Sequence, residues 1–586
     1  LKRFKWHGTM NGKTNTDEIP NGDAQARSKK KPRWLRWTLR ILLSVATLLV
    51  LASAGVYWFI TTYLDNFIST RLANLVVAAS DSLYTLKIQK FTFNADTIQA
   101  SGLKLVPIFE PSSTDDKQRY DISIQSLQIL KPRWNELFNE RKFHIEFIEL
   151  DEPYLMYRRD TLAAKPKSEQ EKQLARNALP EPTLLDRLFN FISPRLQLDS
   201  FRVRNAALNY ENVDEKEQRF DNLVVSVFAE GIDLNLKASK NQETFSAKDI
   251  RIHITPYRWK IPNTLYGVKC GDIRISTKDS LLTIDSLSLS PIVSDTEFFR
   301  EQKYRADRFK LRLDRLRGTA IDYKGWVFGK GIIAKTLEMN GLVIDVLTDK
   351  RYPISRQKFI PTMPHEAFRA LPIRVAVDSI IVHNGNIRYS VQNPYEKSPR
   401  SLFFSKVDAA ITNLNNDSLK MTDETPAVLK ASAYLMGTGK VSLALDLPLL
   451  SETFSMRYRG ELGRFDVKQL NSFAASEARV MFPSGKVDRV SFSVEVEDGF
   501  ASGSVQAIYK DLSLKVLPQN RKYQAGLLEG VISFVANTFV VHRECKIEKG
   551  KPLRSGKIAV RKKKEKAFFE FFWETLWQGI QGVIKR

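Results

Sequence analysis

One spacing pattern, stated four times, constrains this chain more than its composition does. In the stretch 196–210, LQLDSFRVRNAALNY, apolar residues fall at Leu196, Leu198, Phe201, Val203, Leu208 and Tyr210. Alternation with period two marks each short run as a half-buried strand. The parity slips between Leu198 and Phe201 and again between Val203 and Leu208. A one-residue slip turns every later side chain to the other face, so each slip requires a bulge, bend or turn. The same spacing recurs at Phe143, Ile145, Ile148, Leu150, Leu155 and Tyr157, and at Ile332, Ala334, Leu337, Met339, Ile344 and Val346. It recurs once more at Val375, Val377, Ile380, Val382, Ile387 and Tyr389. The second slip falls on Asn205-Ala206, Glu152-Pro153, Asn340-Gly341 and Asn384-Gly385, all plausible turn sites.

The four copies belong to a longer duplication. Leu83-Tyr84 matches Leu265-Tyr266 at an offset of 182, and Leu103, Leu105 and Pro107 match Leu287, Leu289 and Pro291 at 184. Ile122 to Tyr157 matches Leu311 to Val346 at 189, Pro182 to Tyr210 matches Pro361 to Tyr389 at 179, and Phe220 matches Phe404 at 184. Five blocks in the same order, with offset changes that fall in loops, indicate a tandem strand-rich unit and a stacked architecture. Between strand groups, Pro132–Lys142 reads as one or two helical turns, the glycine-rich Tyr323–Gly331 as a turn, and the charged Thr161–Pro182 as a mobile loop.

Before the repeats, residues 1–28 are polar and read as disordered. A basic run from Lys29 to Arg40, interleaved with Trp34 and Trp37, precedes Ile41–Ile60, twenty residues without a charge. That length crosses a bilayer, and the basic flank places the N-terminus in the cytoplasm. A cleavable signal peptide is the alternative, with Ala52-Ser53-Ala54 as its site. Either way the rest of the chain is expected to be exported. The sequence opens on Leu1, with Met10 as an alternative start. The periodicity of Leu64, Phe67, Ile68, Leu72, Leu75 and Val76 continues the helix.

After the repeats, runs at 441–449, 454–463, 490–499 and 502–517 alternate as strands, with Pro448 and Pro483 at run ends. The tail carries Arg561, Lys562, Lys563, Lys564 and Lys566, then an amphipathic helix. Its polar side is Glu570, Glu574, Gln578 and Gln581. Phe568, Phe571, Phe572, Trp573 and Trp577 are candidate membrane-contacting residues, if the helix lies in an interface rather than docking on the sheet as a lid.

Lysine and arginine exceed aspartate and glutamate by 24, which suggests an anionic partner, nucleic acid or lipid headgroups. Basic residues spread through strands in an exported chain argue against nucleic acid. The six histidines are scattered, with His144 and His253 read as polar-face strand residues. Cys270 and Cys545 give no disulfide framework, and His542, Glu544 and Cys545 make only part of a metal site. The glycines near Lys440 do not complete a phosphate loop, and no nucleophile elbow is present. No catalytic residue, cofactor or metal is expected. A trough for acyl lipid and a closed scaffold for protein binding both remain open, because alternation alone does not say whether the apolar face is covered.

The stretches SDSLYTLKIQKFTF, GLKLVP and ELFNERKFHIEFIELDEPYLMY behind a single span, with GELGRFDVKQLNSF, FPSGKVDRVSFSV and GSVQAIYKDLSLKVL near the end, resemble the AsmA-like envelope proteins. That resemblance, over about residues 35–586, implies a single-pass protein of a Gram-negative inner membrane with its bulk in the periplasm. It is similar to bridge-like lipid-transfer proteins, with a U-shaped β-groove linked to phospholipid traffic and outer-membrane integrity. The implied partners are phospholipid or another acyl lipid, the inner membrane, and outer-membrane or periplasmic proteins. The expected architecture is mainly β: an elongated, curved antiparallel groove built by tandem duplication, with an N-terminal transmembrane helix and a C-terminal amphipathic helix. The expected segments are 1–40 basic and cytoplasmic, 41–60 span, 61–80 continuing helix, 81–262 first repeat with connecting strands, 263–420 second repeat, 421–560 C-terminal β region and 561–586 tail helix. Candidate groove residues are Ile148, Leu150, Leu155, Phe201, Val203, Leu208, Leu337, Met339, Ile344, Ile380, Val382 and Ile387.

Overall fold

The computed structural model describes residues 47, 50–53, 65–80, 82–108, 118–140, 142–159, 195–212, 217–235, 245–261, 263–327, 331–353, 361–371, 373–394, 396–417, 420–517 and 541–585. Most of the expected span, the segment before it and the loop Thr161–Pro182 lie outside these residues. Among the described residues no helix is long and apolar enough to cross a membrane. The chain divides into two compact units, residues 1–68 and 69–586. A helix, α1, covers Asp65–Ala79, where the apolar spacing predicts one.

Among the described residues, the second unit is built on one mixed sheet of 25 strands. The first repeat supplies β1 (Tyr84–Lys87), β2 (Lys90–Phe93), β3 (Thr97–Pro107), β4 (Gln118–Pro132), β5 (Lys142–Arg159), β6 (Arg195–Asn212) and β7 (Glu217–Asn235), with α2 (Trp134–Glu140) before β5. Short strands β8 (Phe245–Ser246), β9 (Asp249–Ile254) and β10 (Tyr257–Lys260) lead to the second repeat. That repeat contains β11 (Tyr266–Cys270), β12 (Ile273–Ser276), β13 (Leu281–Pro291), β14 (Asp307–Thr319), β15 (Ile332–Asn340), β16 (Val343–Asp349), β17 (Val375–Gln392) and β18 (Arg400–Asn415). Its helices are α3 (Asp295–Gln302), α4 (Tyr323–Val327) and α5 (Pro364–Arg369). The C-terminal region adds β19 (Ala427–Leu435), β20 (Gly439–Leu447), β21 (Met456–Leu462), β22 (Phe465–Asp466), α6 (Asn471–Ala478), β23 (Val480–Glu497), β24 (Phe500–Val516), β25 (Ser555–Arg561) and α7 (Phe568–Ile584).

The two repeats share one pairing diagram. β1 and β2 lie end to end along one edge of β3, and β4, β5, β6 and β7 follow in order from its other edge. β11 and β12 lie end to end along one edge of β13, followed on its other edge by β14, the divided strand β15 and β16, then β17 and β18. Side-chain anchors repeat too. The Tyr84 hydroxyl accepts from Tyr120 N at 3.1 Å, and the Tyr266 hydroxyl accepts from Phe309 N at 2.9 Å. Trp134 Nε1 donates to Ala95 O at 2.8 Å, and Tyr323 donates from its hydroxyl to Leu281 O at 2.7 Å.

The sheet is not wholly antiparallel, as the sequence reading expects. β5 and β6 are parallel, and so are β15 and β16 with β17. The four statements of the spacing pattern pair with each other: Phe143 opposite Leu196, Ile148 opposite Phe201, Leu155 opposite Leu208, and again Ile332 opposite Val375, Leu337 opposite Ile380, Ile344 opposite Ile387. In-register parallel pairing requires two strands to slip at the same places, which is what the repeated spacing encodes.

The slips are creases. Glu152, Asn205 and Asn384 have φ of 46°, 50° and 51°, and Gly102, Ser286 and Gly341 on nearby strands have φ of 61°, 63° and 68°. Asn205-Ala206, Glu152-Pro153 and Asn384-Gly385 are therefore bends inside continuous strands, not chain reversals. A second crease passes Lys131 and Gly231 in the first repeat and Ala320 and Asn413 in the second, all with positive φ. A left-handed residue rotates the chain so that the opposite parity continues on the same face. Burial shows it: Ala100, Leu103 and Leu105 are buried while Gln99 and Lys104 are exposed. Pro483 lies inside β23, at the irregularity between Met481 and Ser484, and not at a strand end.

Tyr323–Val327 is a short helix, not the expected turn; Asp322 Oδ1 accepts from Gly325 N at 2.8 Å and caps it. α6 is held by a buried pair, Lys350 Nζ to Glu477 Oε1 at 2.7 Å, with both side chains at most 4% exposed.

Candidate functional site

Following the pairings from edge to edge produces a single row of side chains across the sheet. It runs Phe91, Ala100, Leu127, Leu150, Val203 and Val227 in the first repeat, then Ile252 and Ile275. It continues through Leu282, Gly318, Leu337, Ile380 and Ile411 in the second repeat. It ends through Leu429, Leu445, Tyr458, Val494, Gly503 and Ile558. None of these nineteen positions is charged or carries an amide or aliphatic hydroxyl group. The row joins Val203 to Ile380, although sequence equivalence matches Phe201 with Ile380, so the repeats are staggered by two residues along the strands.

Parallel rows flank it. Ile148 and Phe201 lie beside Ile98, Ile129 and Ala229, while Met339 and Val382 lie beside Leu316 and Ala409. Beyond the first crease, Leu155 and Leu208 join Leu105, Ile122 and Leu223, and Ile344 and Ile387 join Leu289, Leu311 and Phe404. Thus the twelve candidate groove residues fall in adjoining apolar rows, and the runs of both parities share a face because the creases intervene.

Coverage of this face varies along the sheet. From Leu127 to Leu429 every row residue except Gly318 is half-buried. From Leu445 onward the row is buried except at Gly503, and the reason is α7. Phe571, Leu576, Val583 and Ile584 pack with Leu445, Met456, Tyr458, Val494, Val505 and Ile558 in one core. The Tyr458 hydroxyl bonds to Thr575 Oγ1, and its ring stands 4.6 Å from that of Phe572. Burial pushes the Tyr458 phenol well above its usual pKa. Backbones touch here: a Cβ on Gly556 would stand 1.9 Å from Gly579 O, so neither position admits a side chain in place.

Of the two dispositions expected for the tail helix, the structure shows the docked one. Phe571 is fully buried against the sheet and offers nothing to a membrane in this arrangement. Phe568 and Phe572 are half-buried beside Phe454 and Tyr458, and Trp577 packs near Ala478 and Val480. Trp573 is 37% exposed, and the most exposed aromatic is Phe569 at 78%, which the sequence reading did not single out. A clue was available: Phe569 lies one residue before Glu570 on the helix's polar flank.

The opposite face is polar and carries a ladder of ion pairs. Arg204 reaches Glu149 at 2.8 Å, Arg251 reaches Asp249 at 3.1 Å, and Arg274 and Arg315 reach Asp285 at 2.6 and 3.1 Å. The Arg274 hydrogen bond, with Arg315 adding to it, holds the Asp285 carboxyl below the usual range. Arg202 and Arg251 also stack on Phe228, at 5.4 and 4.4 Å. His253 Nε2 lies 2.6 Å from Asp272 Oδ1. His144, expected on a polar face, is only 6% exposed and sits 3.3 Å from Glu136 Oε2 and 3.0 Å from Asp199 Oδ1.

Cys270 and Cys545 are both free and buried. Cys545 pairs through its backbone with Tyr509. Among the described residues, no group of three His, Cys, Asp or Glu side chains is placed to hold a metal. What the geometry offers is an extended apolar surface whose central line carries one polar group among the described residues, the Tyr458 hydroxyl beneath α7. No protein-family model matches this chain, and no curated protein matches it either.

Proposed function

We propose that this chain is an AsmA-like protein, anchored in an inner membrane by Ile41–Ile60 with its bulk in the periplasm, that shields or conducts phospholipid acyl chains without catalysis. In this reading the two creases fold the sheet into an elongated U-shaped trough with a floor and two walls. Nineteen strand positions at about 4.8 Å make a path of roughly 90 Å, and the residue steps from the crease at Asp199 to that at Asn205 give a floor roughly 20 Å wide. That width admits two acyl chains side by side. Each methylene taken from water contributes about 0.8 kcal/mol. A lipid so bound would support outer-membrane lipid homeostasis or assembly.

The observation that carries the proposal is the unbroken apolar row, half-buried over its long middle and opposed by an ion-paired polar face. A photo-reactive phenylalanine analogue at Leu150, Val203 or Ile380 in expressing cells should capture phospholipid. The same analogue at Gln128, Arg202 or Ser379, on the other face, should not. Equal capture on both faces, or none on the apolar face, would replace lipid carriage with an anchored scaffold.

A further inference from the structure

The two long rims of the apolar face differ. Where the strands of the first repeat reach the rim beyond the first crease, the same face that carries Ile122, Leu155 and Leu208 ends in Tyr120, Tyr157 and Tyr210. These three pair directly, and their rings stand 5.2 and 5.4 Å apart in sequence along the rim. The line continues at β10, where Trp259 pairs with Val268 and is 37% exposed, beside the exposed Arg258 and Lys260. In the second repeat the corresponding rim is closed: Tyr389 lies under Phe473 of α6 at 6.1 Å, and Tyr266 meets Phe298 of α3 at 5.6 Å. At the opposite rim of the first repeat, Trp134 is instead turned onto Phe93 and Phe143 at 5.8 and 5.9 Å and its ring N–H is taken by Ala95 O.

Tyrosine and tryptophan with an apolar body and a polar tip, flanked by arginine and lysine, are the side chains that settle where hydrocarbon gives way to headgroup and water. We infer that the Tyr120–Trp259 rim is the headgroup side of the trough: a phosphate-bearing diacyl lipid lies with its tails on the row through Leu150 and Val203 and its headgroup over this rim and not the other. The inference rests on the lipid reading above and adds an orientation to it. Exposed cations stand at this rim as well: Arg258 and Lys260 adjoin Trp259 in β10, on the alternate face of the strand, and the chain as a whole carries a net charge of +24.

The test uses the full chain reconstituted in phosphatidylethanolamine vesicles doped with either of two photo-reactive phospholipids, one with a diazirine on the headgroup and one with it near the end of a tail. Adducts are mapped by mass spectrometry. The headgroup probe should label the peptides holding Tyr120, Tyr157 and Trp259 at least about tenfold more than the one holding Trp134, the weight of one hydrogen bond to a charged group. Changing Tyr120→Leu, Tyr157→Leu and Trp259→Leu together should abolish that bias while tail adducts on the floor persist. Tail adducts on the floor with headgroup adducts on the Trp134 rim, or on both rims equally, would overturn the orientation and leave lipid carriage intact. Absence of tail adducts from the floor would overturn both.

Discussion

If the middle of the apolar row faces an open trough, truncating it should cost much less stability than truncating the covered end. Leu150 and Leu445 occupy the same row, the first half-buried and the second 5% exposed beneath α7. Leu→Ala removes three carbon atoms, about 2.4 kcal/mol of transfer free energy if burial is complete. At Leu445 a cavity is also left between the sheet and Phe571, so the loss should reach about 3–4 kcal/mol. At Leu150 only part of the transfer free energy applies and no closed cavity forms, so the loss should be about 1–1.5 kcal/mol. Urea unfolding of the full chain, followed by far-UV circular dichroism with unchanged m between variants, measures both. Adding phospholipid should then stabilise wild type and L150A above a threshold concentration, because a ligand of the folded state raises its apparent stability. An L150A loss equal to that of L445A without lipid would mean that protein already fills the trough, and the reasoning from half-burial would fail.

Three further outcomes follow from particular side chains. Lys350→Ala should destabilise by about 3–5 kcal/mol by stranding the Glu477 carboxylate, whereas Lys350→Met with Glu477→Leu should recover most of the loss; denaturant midpoints decide, and equal losses would exclude the buried pair as the cause. Asn205→Val should cost about 1–2 kcal/mol because φ there is 50°, while Asn205→Gly should be close to neutral; two equal effects would mean that the crease does not need a left-handed residue. Burial depresses the pKa of His365, which stacks on Phe454, so the unfolded state takes up the proton first; stability from this group is present above its unfolded pKa near 6.5 and is lost as pH falls below it. Thermal unfolding between pH 8 and pH 5.5 should therefore show a steeper fall for wild type than for H365F, and parallel curves would dismiss the histidine as a contributor.

Much of this fold is written in the chain as spacing. The four pattern copies locate β5, β6, β15 with β16, and β17 to within three residues, and the offsets locate the duplication that the pairing diagram repeats. The parallel pairings were legible in principle, since two strands with identical slips can keep both faces matched only when they run the same way. They went unread because short alternating strands ordinarily suggest hairpins. The creases were foreseen as slips but not as left-handed residues, because Glu152 and Lys131 are side chains that seldom adopt positive φ. Helix α4 was hidden by Gly325 within it and by Gly329 and Gly331 after it, since glycine is a poor helix former, while the Asp322 cap lies just outside the stretch. The tail helix shows the limit of a helical wheel: Gln578 was counted on the solvent side, yet its Oε1 accepts from Ala559 N at 2.6 Å on the edge strand. A polar residue at a helix–strand contact looks, in sequence, like a polar residue in water.

Continuity matters more than any residue in a surface of this kind. On the proposed reading, a bound tail that moves one strand along the row exchanges one half-buried aliphatic neighbour for another, so successive positions differ by little and no deep well holds the lipid. A discriminating pocket would work against such movement, since each kcal/mol gained at one strand must be returned to reach the next. The row loses this uniformity at its first end, where Phe91 and Ala100 are buried, and again at Leu445 and Tyr458, where α7 covers it and a buried hydroxyl pair crosses the path. Traffic along the floor must therefore leave over a rim before β20 or displace α7. The Gly556–Gly579 contact makes the second route testable. A side chain at Gly556 would press on the Gly579 backbone, and one at Gly579 on the side chains of Val505 and Ile558, so either would lift the helix from the sheet. If lipid leaves beneath α7, Gly579→Leu should alter transfer between vesicles while photo-capture at Leu150 stays as in wild type. If transfer is unchanged with the helix lifted, the rim is the way out.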